Sequence, residues 1–240
     1  MKKSIYFMAL IAVLCTLSCK KKSQEKEPAY TCSTCMTTPE ALAANDATNK
    51  GIYKGVVIGS TGTIKFNIAN TGTTITAILV LDGVTANLTS TVAWTAGQAY
   101  TSAFTGKLGT ADVSITFSVD ATGTTPVIST SSIPGHPNTS FNLIKETSTN
   151  LIECFEGTYS TTKPETGTFN IVLSRTLRKF KGSSRTTGST TSNPISGTID
   201  SNNNLVEDGN IICLLSGDEL NGSFTDNDGK KVTVKGKRTF

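Results

Sequence analysis

Apolar and polar residues alternate along most of the chain after Gly51, and this period of two limits the fold more than any other feature. Successive side chains of a β-strand point to opposite faces, so alternation predicts a strand with one buried face and one wet face. Only 17% of the residues are charged, while Thr, Ser, Gly and Asn are abundant. This mixture favours strands joined by tight turns. The sequence therefore predicts an all-β body of antiparallel strands, the clearest at residues 64–68, 84–94, 113–119 and 169–173.

Turn signals separate these alternating runs. The pairs Asp82-Gly83 and Asp228-Gly229 lie where hairpin turns with positive φ are expected. Residues 182–193 are nearly all Ser, Thr, Gly and Arg, which predicts a loop. Consecutive strands are therefore expected to pair as neighbours.

A pattern at the start of the β region returns in the second half of the chain. Tyr53 stands nine residues before a Gly-Thr pair at Gly62, and Tyr159 stands eight residues before one at Gly167. In each case apolar residues fall two, four and six positions after the glycine, so the matched strands would point their side chains the same way. This duplication predicts two similar antiparallel meander repeats, residues 51–149 and 150–240, each forming a small barrel or a β-sandwich.

The two openings also resemble those of known barrels. Each has a Gly-x-Tyr first strand, and the second strands carry Gly-Thr followed by an apolar or aromatic alternation. This arrangement resembles avidin-like and lipocalin-like β-barrels, a resemblance that implies a barrel with a mouth.

Before the repeats, Thr38 as N-cap, Pro39 in the first turn and Glu40 near the positive helix end predict a short helix of two or three turns within residues 37–50.

The chain begins with a segment that reads as an export signal. Residues 1–3 are basic at two positions, and residues 5–14 form an apolar run too short to span a bilayer. The stretch Thr16-Leu17-Ser18-Cys19 resembles a lipobox, and the whole arrangement is similar to the lipoproteins of Bacteroidota. The resemblance implies a signal peptide at residues 1–18 and a lipid on Cys19. It also implies a membrane anchor through that lipid and a location in the cell envelope, most simply at the outer membrane.

The lipobox match has one departure, because Thr16 stands where the motif usually has Leu. That leaves ordinary cleavage near Ser18 or an uncleaved signal as alternatives. The polar run that follows cannot pack into a core and predicts a flexible tether over residues 19–36, with a Cys-x-x-Cys near its end.

Cys32, Cys35, Cys154 and Cys213 remain after the cysteines of the signal and the anchor are set aside. An even number in an oxidising compartment suggests disulfides. Three pairings are open, of which we favour Cys154 with Cys213 and Cys32 with Cys35. A redox role for Cys32-Ser33-Thr34-Cys35 would need a helix N-terminus and a βαβ fold, and a zinc site would need a second close pair.

No motif in the sequence points to catalysis, a cofactor, a metal or nucleic acid. His136, the only histidine, lies between Pro134 and Pro137 in a predicted turn and lacks a recognisable nucleophile motif. The acidic run beginning at Asp226 starts like a calcium loop but has Lys230 at the fifth position. The formal net charge of +4 is too small for a nucleic-acid footprint. We therefore expect no enzyme and no cofactor.

The sequence leaves two functional interpretations. The first is a non-enzymatic binding protein that captures a small ligand or a glycan through a barrel mouth or loop face, with Trp94, Tyr100 and Phe104 as candidate lining residues. The second is a structural or adhesion protein whose outer surface contacts another envelope protein. An open barrel interior favours the first interpretation, and an interior filled by its own side chains opposes it.

Overall fold

A computed structural model describes residues 28–240. The predicted signal peptide, the lipid site at Cys19 and the first part of the predicted tether lie outside the described residues. In the part of the chain that the structure describes, no helix has the length and apolar character needed to cross a membrane.

Sixteen strands form two antiparallel sheets in the described residues. The first eight are β1 (Gly51–Ile58), β2 (Gly62–Ile68), β3 (Ile75–Leu81), β4 (Val84–Thr89), β5 (Tyr100–Leu108), β6 (Ala111–Val119), β7 (Val127–Ser132) and β8 (Ser140–Lys145). The second eight are β9 (Glu153–Thr161), β10 (Thr166–Ser174), β11 (Lys179–Thr186), β12 (Asn193–Ile199), β13 (Asn204–Glu207), β14 (Asn210–Ser216), β15 (Glu219–Thr225) and β16 (Lys231–Arg238). The predicted all-β fold of two similar repeats is confirmed.

Both sheets are meanders that curve round on themselves, so the repeats are barrels and not sandwiches. In the first, the order is β7-β6-β5-β4-β3-β2-β1-β8, so β8 returns to pair with β1 and the sheet nearly closes. In the second, β16 pairs with β9 and the ring of eight strands is complete. We call the two units the first barrel (β1–β8) and the second barrel (β9–β16). Residues 146–152 connect them.

The repeated pattern matches in its second strand but not in its first. Tyr53 pairs with Phe66 in the first barrel, and the equivalent pair in the second barrel is Phe155 with Ile171. The structural counterpart of Tyr53 is therefore Phe155, which is four residues earlier than Tyr159. Tyr53 and Phe155 are both fully buried, whereas Tyr159 lies near the end of β9 and is half-buried. Because the first strands differ in register, the tyrosine of the pattern lies in the core of the first barrel but near the rim of the second.

Three local predictions differ from the structure. The predicted helix within 37–50 is only a 3-10 turn, Ala43–Asn45, because Thr38 does not cap it and Leu42 precedes it in an extended conformation. The strand predicted to reach Trp94 ends at Thr89, and the chain then folds across one end of the first barrel. The first part of the predicted loop at 182–193 belongs instead to β11, which is paired on both sides up to Ser184 and ends at Thr186; residues 187–192 form the connection to β12.

Residues 28–36 are packed rather than free, which corrects the end of the predicted tether. Tyr30 Oη donates to the carbonyl oxygen of Arg238 at 2.9 Å, and the Cys32 amide donates to Asp218 Oδ2 at 2.9 Å. The Arg238 guanidinium donates to the Met36 carbonyl oxygen at 2.5 Å. These bonds attach the segment to the end of the second barrel where β16 finishes.

An apolar cluster and a buried ion pair join the barrels. Val56 and Ile58 of β1 pack against Cys154 and Val172 of the second barrel. Beside this contact, Lys54 is 1% exposed and its Nζ lies 2.7 Å from an oxygen of Glu146, whose side chain is 0% exposed. A second carboxylate, on Glu40, lies 3.2 Å from Lys54 Nζ. This network secures both the N-terminal segment and the connection between the barrels.

Candidate binding cavity of the second barrel

The second barrel contains a cavity of about 220 Å³ that opens at one end. The rim of the opening is formed by the β9–β10, β11–β12, β13–β14 and β15–β16 connections, because these four turns share one end of the meander. We call this end the mouth and the opposite end the base. The base is filled by buried Leu173, Ile199, Leu215 and Leu220. The cavity is therefore a cup rather than a channel.

The lower wall of the cavity is apolar. Phe169 and Ile171 of β10 face inward with Leu205 and Val234. Gly157 makes room for the ring of Phe169, since a Cβ at Gly157 would lie 2.4 Å from Phe169 Cζ. A glycine is thus required where two strands and an aromatic ring meet closely. This wall offers dispersion contacts to an apolar ligand and few hydrogen bonds.

A hydrogen-bonded cluster forms one side of the rim. Tyr159 Oη lies 2.8 Å from Thr186 Oγ1, which donates to Glu165 Oε1 at 3.0 Å. Lys230 Nζ approaches the other oxygen of Glu165 at 3.4 Å. The hydrogen bond from Thr186 and the charge of Lys230 lower the pKa of Glu165, although partial desolvation opposes them. Glu165 therefore stays ionised and is neutralised locally.

Glu207 also lines the cavity, on β13, apart from the cluster at the rim. It ends β13, next to an irregularity in the β13–β14 ladder at Leu205/Val206. Its Oε1 accepts a hydrogen bond from the Ser196 amide at 3.1 Å. The backbone pairing of β12 with β13 ends at Thr198 and Val206, so the side chain of Glu207 bonds an amide beyond the last paired residues. Burial raises the pKa of Glu207, and within the described residues no Lys, Arg or His forms an ion pair with it. Asp226 at the rim also lacks an ion pair within the described residues, but its Oδ1 accepts the amides of Asp228 and Lys230 of its own turn. Glu207 is therefore the carboxylate without a cation on the wall between the strands.

The cysteines show why the favoured pairing is half wrong. Cys32 and Cys35 form the predicted disulfide, with Cα atoms 5.4 Å apart. Cys154 and Cys213 are free and buried. Cys213 points into the second barrel, whereas Cys154 points outward into the contact between barrels, so the barrel wall separates the two thiols. Sequence spacing alone could not reveal that these cysteines occupy opposite faces of the sheet.

Neither free thiol is an activated nucleophile. Burial raises the pKa of Cys213 to about 12, and burial likewise raises that of Cys154. A protonated thiol is a poor nucleophile. Cys213 therefore contributes to the cavity as a small apolar side chain.

The first barrel differs from the second because aromatic rings fill its interior. Phe66 stacks on Phe117 with centroids 4.5 Å apart, and its ring also meets Phe104 at 4.9 Å. Tyr53 closes the cluster against Phe117 at 5.1 Å. In the second barrel, Ile171, the register counterpart of Phe66, lines the cavity.

The candidate lining residues predicted from the sequence belong to this filled barrel. Phe104 and Tyr100 are buried in its core. Trp94 packs against the same core from the β4–β5 connection, and its Nε1 donates to Asn49 Oδ1 at 2.6 Å. These three side chains close the first barrel instead of lining an opening. Of the residues that do line a mouth, Tyr159 belongs to the repeated pattern but is matched there to the buried Tyr53, and Glu207 carries no sequence signal beyond its place in a strand.

The remaining polar candidates lie at the junction of the barrels, in a groove of about 500 Å³. His136 Nε2 lies 3.7 Å from Asp82 Oδ2, and Ser60 Oγ donates to Asp82 Oδ1 at 2.7 Å. The serine is thus bonded to the carboxylate and not to the imidazole, which is not the order that activates a nucleophile. Residues 28–240 contain no group of three His, Cys, Asp or Glu side chains arranged to hold a metal.

Comparisons with known proteins gave no relative for this chain. No family model matches the sequence, no curated protein matches it, and no solved structure matches the fold. Its function has to be argued from its own geometry.

Proposed function

We propose that this chain is a lipid-anchored protein of the cell envelope that binds a small ligand, without catalysis, in the mouth of its second barrel. One observation carries the proposal: two barrels of eight strands share one chain, and only the first has its interior filled with stacked aromatic rings. Small-molecule sites are concave and mostly apolar, with a few placed polar groups. The cavity of the second barrel has each of these properties.

The cavity restricts the chemistry of the ligand. A dry apolar cavity of roughly 150 Å³ admits benzene, so about 220 Å³ suits a compact ligand of one ring or a short branched chain. Glu207 on the wall favours a ligand with a hydrogen-bond donor or a cationic amine, since an ionised carboxylate only accepts hydrogen bonds. A small apolar amine fits this combination better than an extended glycan.

The anchor rests on the lipobox-like sequence before Cys19. The proposed cleavage and lipidation would leave the mature protein attached to a membrane by its N-terminus, most simply the outer membrane. Globomycin-sensitive maturation tests this, together with a Cys19→Ala variant. We expect the inhibitor to block maturation and the variant to lose lipid labelling; unchanged labelling of the variant would contradict the anchor.

Filling the cavity tests ligand binding. Ser184 of β11 lines the cavity, whereas Ser223 of β15 is exposed on the outer wall of the same barrel. Native mass spectrometry of protein purified from envelopes should find a bound small molecule in the wild type and in the control Ser223→Phe, but not in Ser184→Phe. Circular dichroism checks that both variants fold. Equal occupancy in the two variants, or an empty wild-type protein, would contradict the proposal.

A structural or adhesion role is the second candidate, and one feature favours it. Ile211 and Leu214 of β14 are 53% and 44% exposed on the outer wall of the second barrel. Exposed apolar neighbours of this kind are typical of contact surfaces. Under that role, Ile211→Ser with Leu214→Ser would abolish crosslinking to an envelope protein in intact cells, while Ser184→Phe would leave it unchanged.

A further inference from the structure

The base of the second barrel carries an exposed apolar residue at the tip of a basic turn. The β10–β11 connection, residues 175–178, contains Leu177, which is 50% exposed, between Arg175 and Arg178 and just before Lys179. All three cations are exposed. We call residues 175–179 the basal turn. A protruding leucine surrounded by cations is suited to the boundary between lipid headgroups and acyl chains.

The N-terminal segment is attached to the same end of the barrel. Arg175 Nε bonds Glu153 Oε2 at 2.7 Å, and Arg238 Nη1 lies 3.1 Å from the other oxygen of Glu153. The Arg238 guanidinium also donates a hydrogen bond to the Met36 carbonyl oxygen. Thr37 and Thr176 line one shallow groove at this end. The side chain of Met36 is itself 46% exposed.

The chain before Pro28 limits how far this end can lie from a membrane anchor. Eight residues lie between Cys19 and Pro28, so nine residue steps connect them and span at most about 30 Å when fully extended. Of the acidic side chains at this end, Asp218 lies 3.5 Å from Arg238 Nη1 and Asp200 accepts bonds from Asn202 and Asn204, while Glu219 begins β15. The basal turn itself contains three cations and no acidic residue. The exposed charge of the basal turn is therefore positive.

We infer that the basal turn, with Met36, is a membrane-contact surface for anionic lipid headgroups, and that the mouth of the second barrel faces away from the bilayer. The inference rests on the proposed lipid anchor. Leu177 enters the interface while Arg178 and Lys179 meet the headgroups. The cavity is then presented to ligands that arrive from the solvent side.

Fluorescence quenching in vesicles tests this orientation with the full-length lipidated protein. An environment-sensitive dye is attached at Thr176→Cys in the basal turn or, as a matched control, at Asn227→Cys in the exposed β15–β16 turn of the mouth. The vesicles contain phosphatidylcholine with phosphatidylglycerol and a nitroxide-labelled lipid. We expect the basal dye to be quenched severalfold more strongly than the mouth dye.

Two further variants separate the contributions. Leu177→Ser should weaken basal quenching in all vesicles, whereas Arg178→Gln with Lys179→Gln should weaken it only in vesicles with phosphatidylglycerol, by roughly fivefold in partitioning for each cation lost. Vesicle flotation reports the anchor separately. Protein that floats with an unquenched basal dye, or with a more strongly quenched mouth dye, overturns the contact surface alone. Protein that does not float overturns the anchor and the inference together.

Discussion

Replacing Phe66 with Ala should cost far more stability than the same change at Phe224. Phe66 is 0% exposed and meets two other rings in the filled first barrel. Its truncation loses the transfer free energy of a buried ring and leaves a closed void, which together cost about 3–5 kcal/mol. Phe224 lines the open cavity and is only half-buried. Its removal enlarges a space that already exists, so we expect a loss of about 1 kcal/mol, roughly half the value of full burial.

Urea unfolding of the two variants measures this contrast. Trp94 is the only tryptophan and packs on the first barrel, so its fluorescence reports that barrel, while far-UV circular dichroism reports both. If Phe66→Ala does not fold, Phe66→Leu replaces it in the comparison, because leucine leaves a smaller void. Equal losses at Phe66 and Phe224 would refute the reasoning, because they would mean that the two interiors are packed alike.

Three further predictions concern single groups. Peptide mapping of the unreduced protein should find Cys154 and Cys213 as free thiols, because the barrel wall separates them; a peptide joined by both would contradict the structure. Glu207→Gln should raise the melting temperature at neutral pH and lose this advantage in acid. Burial raises the pKa of Glu207 in the folded state, so the wild-type carboxyl contributes most stability at low pH and this contribution is lost as the pH rises through that pKa. A gain for the variant that persists in acid would exclude this cause. Lys54→Met should cost about 3–5 kcal/mol in urea unfolding by leaving Glu146 buried without its cation, and adding Glu146→Gln should restore part of the loss; no recovery would argue against the buried pair.

The alternating strands at residues 64–68, 113–119 and 169–173 and the turns at Asp82-Gly83 and Asp228-Gly229 follow from local chemistry, and the sequence was sufficient to predict them. Asp82 and Gly83 both adopt positive φ between β3 and β4, as the hairpin turn requires. Gly229 does the same between β15 and β16. The duplication was visible because the second strands of the two repeats share register. An all-β fold of two similar repeats could therefore be anticipated, whereas the choice between barrels and sandwiches required the strand pairing.

The site could not be anticipated, because it depends on contacts between distant strands. Tyr159 appeared equivalent to Tyr53, but the pairing of β9 with β10 places Phe155 in the core and Tyr159 at the rim. Ser184 looked like a loop residue by composition, yet pairing on both sides holds β11 in the barrel wall. Whether a barrel is filled or open is decided by the sum of side-chain volumes that strand pairing brings together.

We expect the second barrel, unlike the first, to take up a small apolar molecule, and methyl NMR with benzene as the probe tests this most directly. Ile171, Ile195, Ile212 and Val232 line the cavity, whereas Ile64, Ile115 and Leu79 lie in the core of the first barrel. Titration with benzene should shift the first set of methyl signals in a saturable manner and leave the second set unchanged. Ser184→Phe should abolish the shifts, while Ser223→Phe should retain them. Unchanged cavity methyls in the wild-type protein, or equal shifts in both barrels, would contradict the claim.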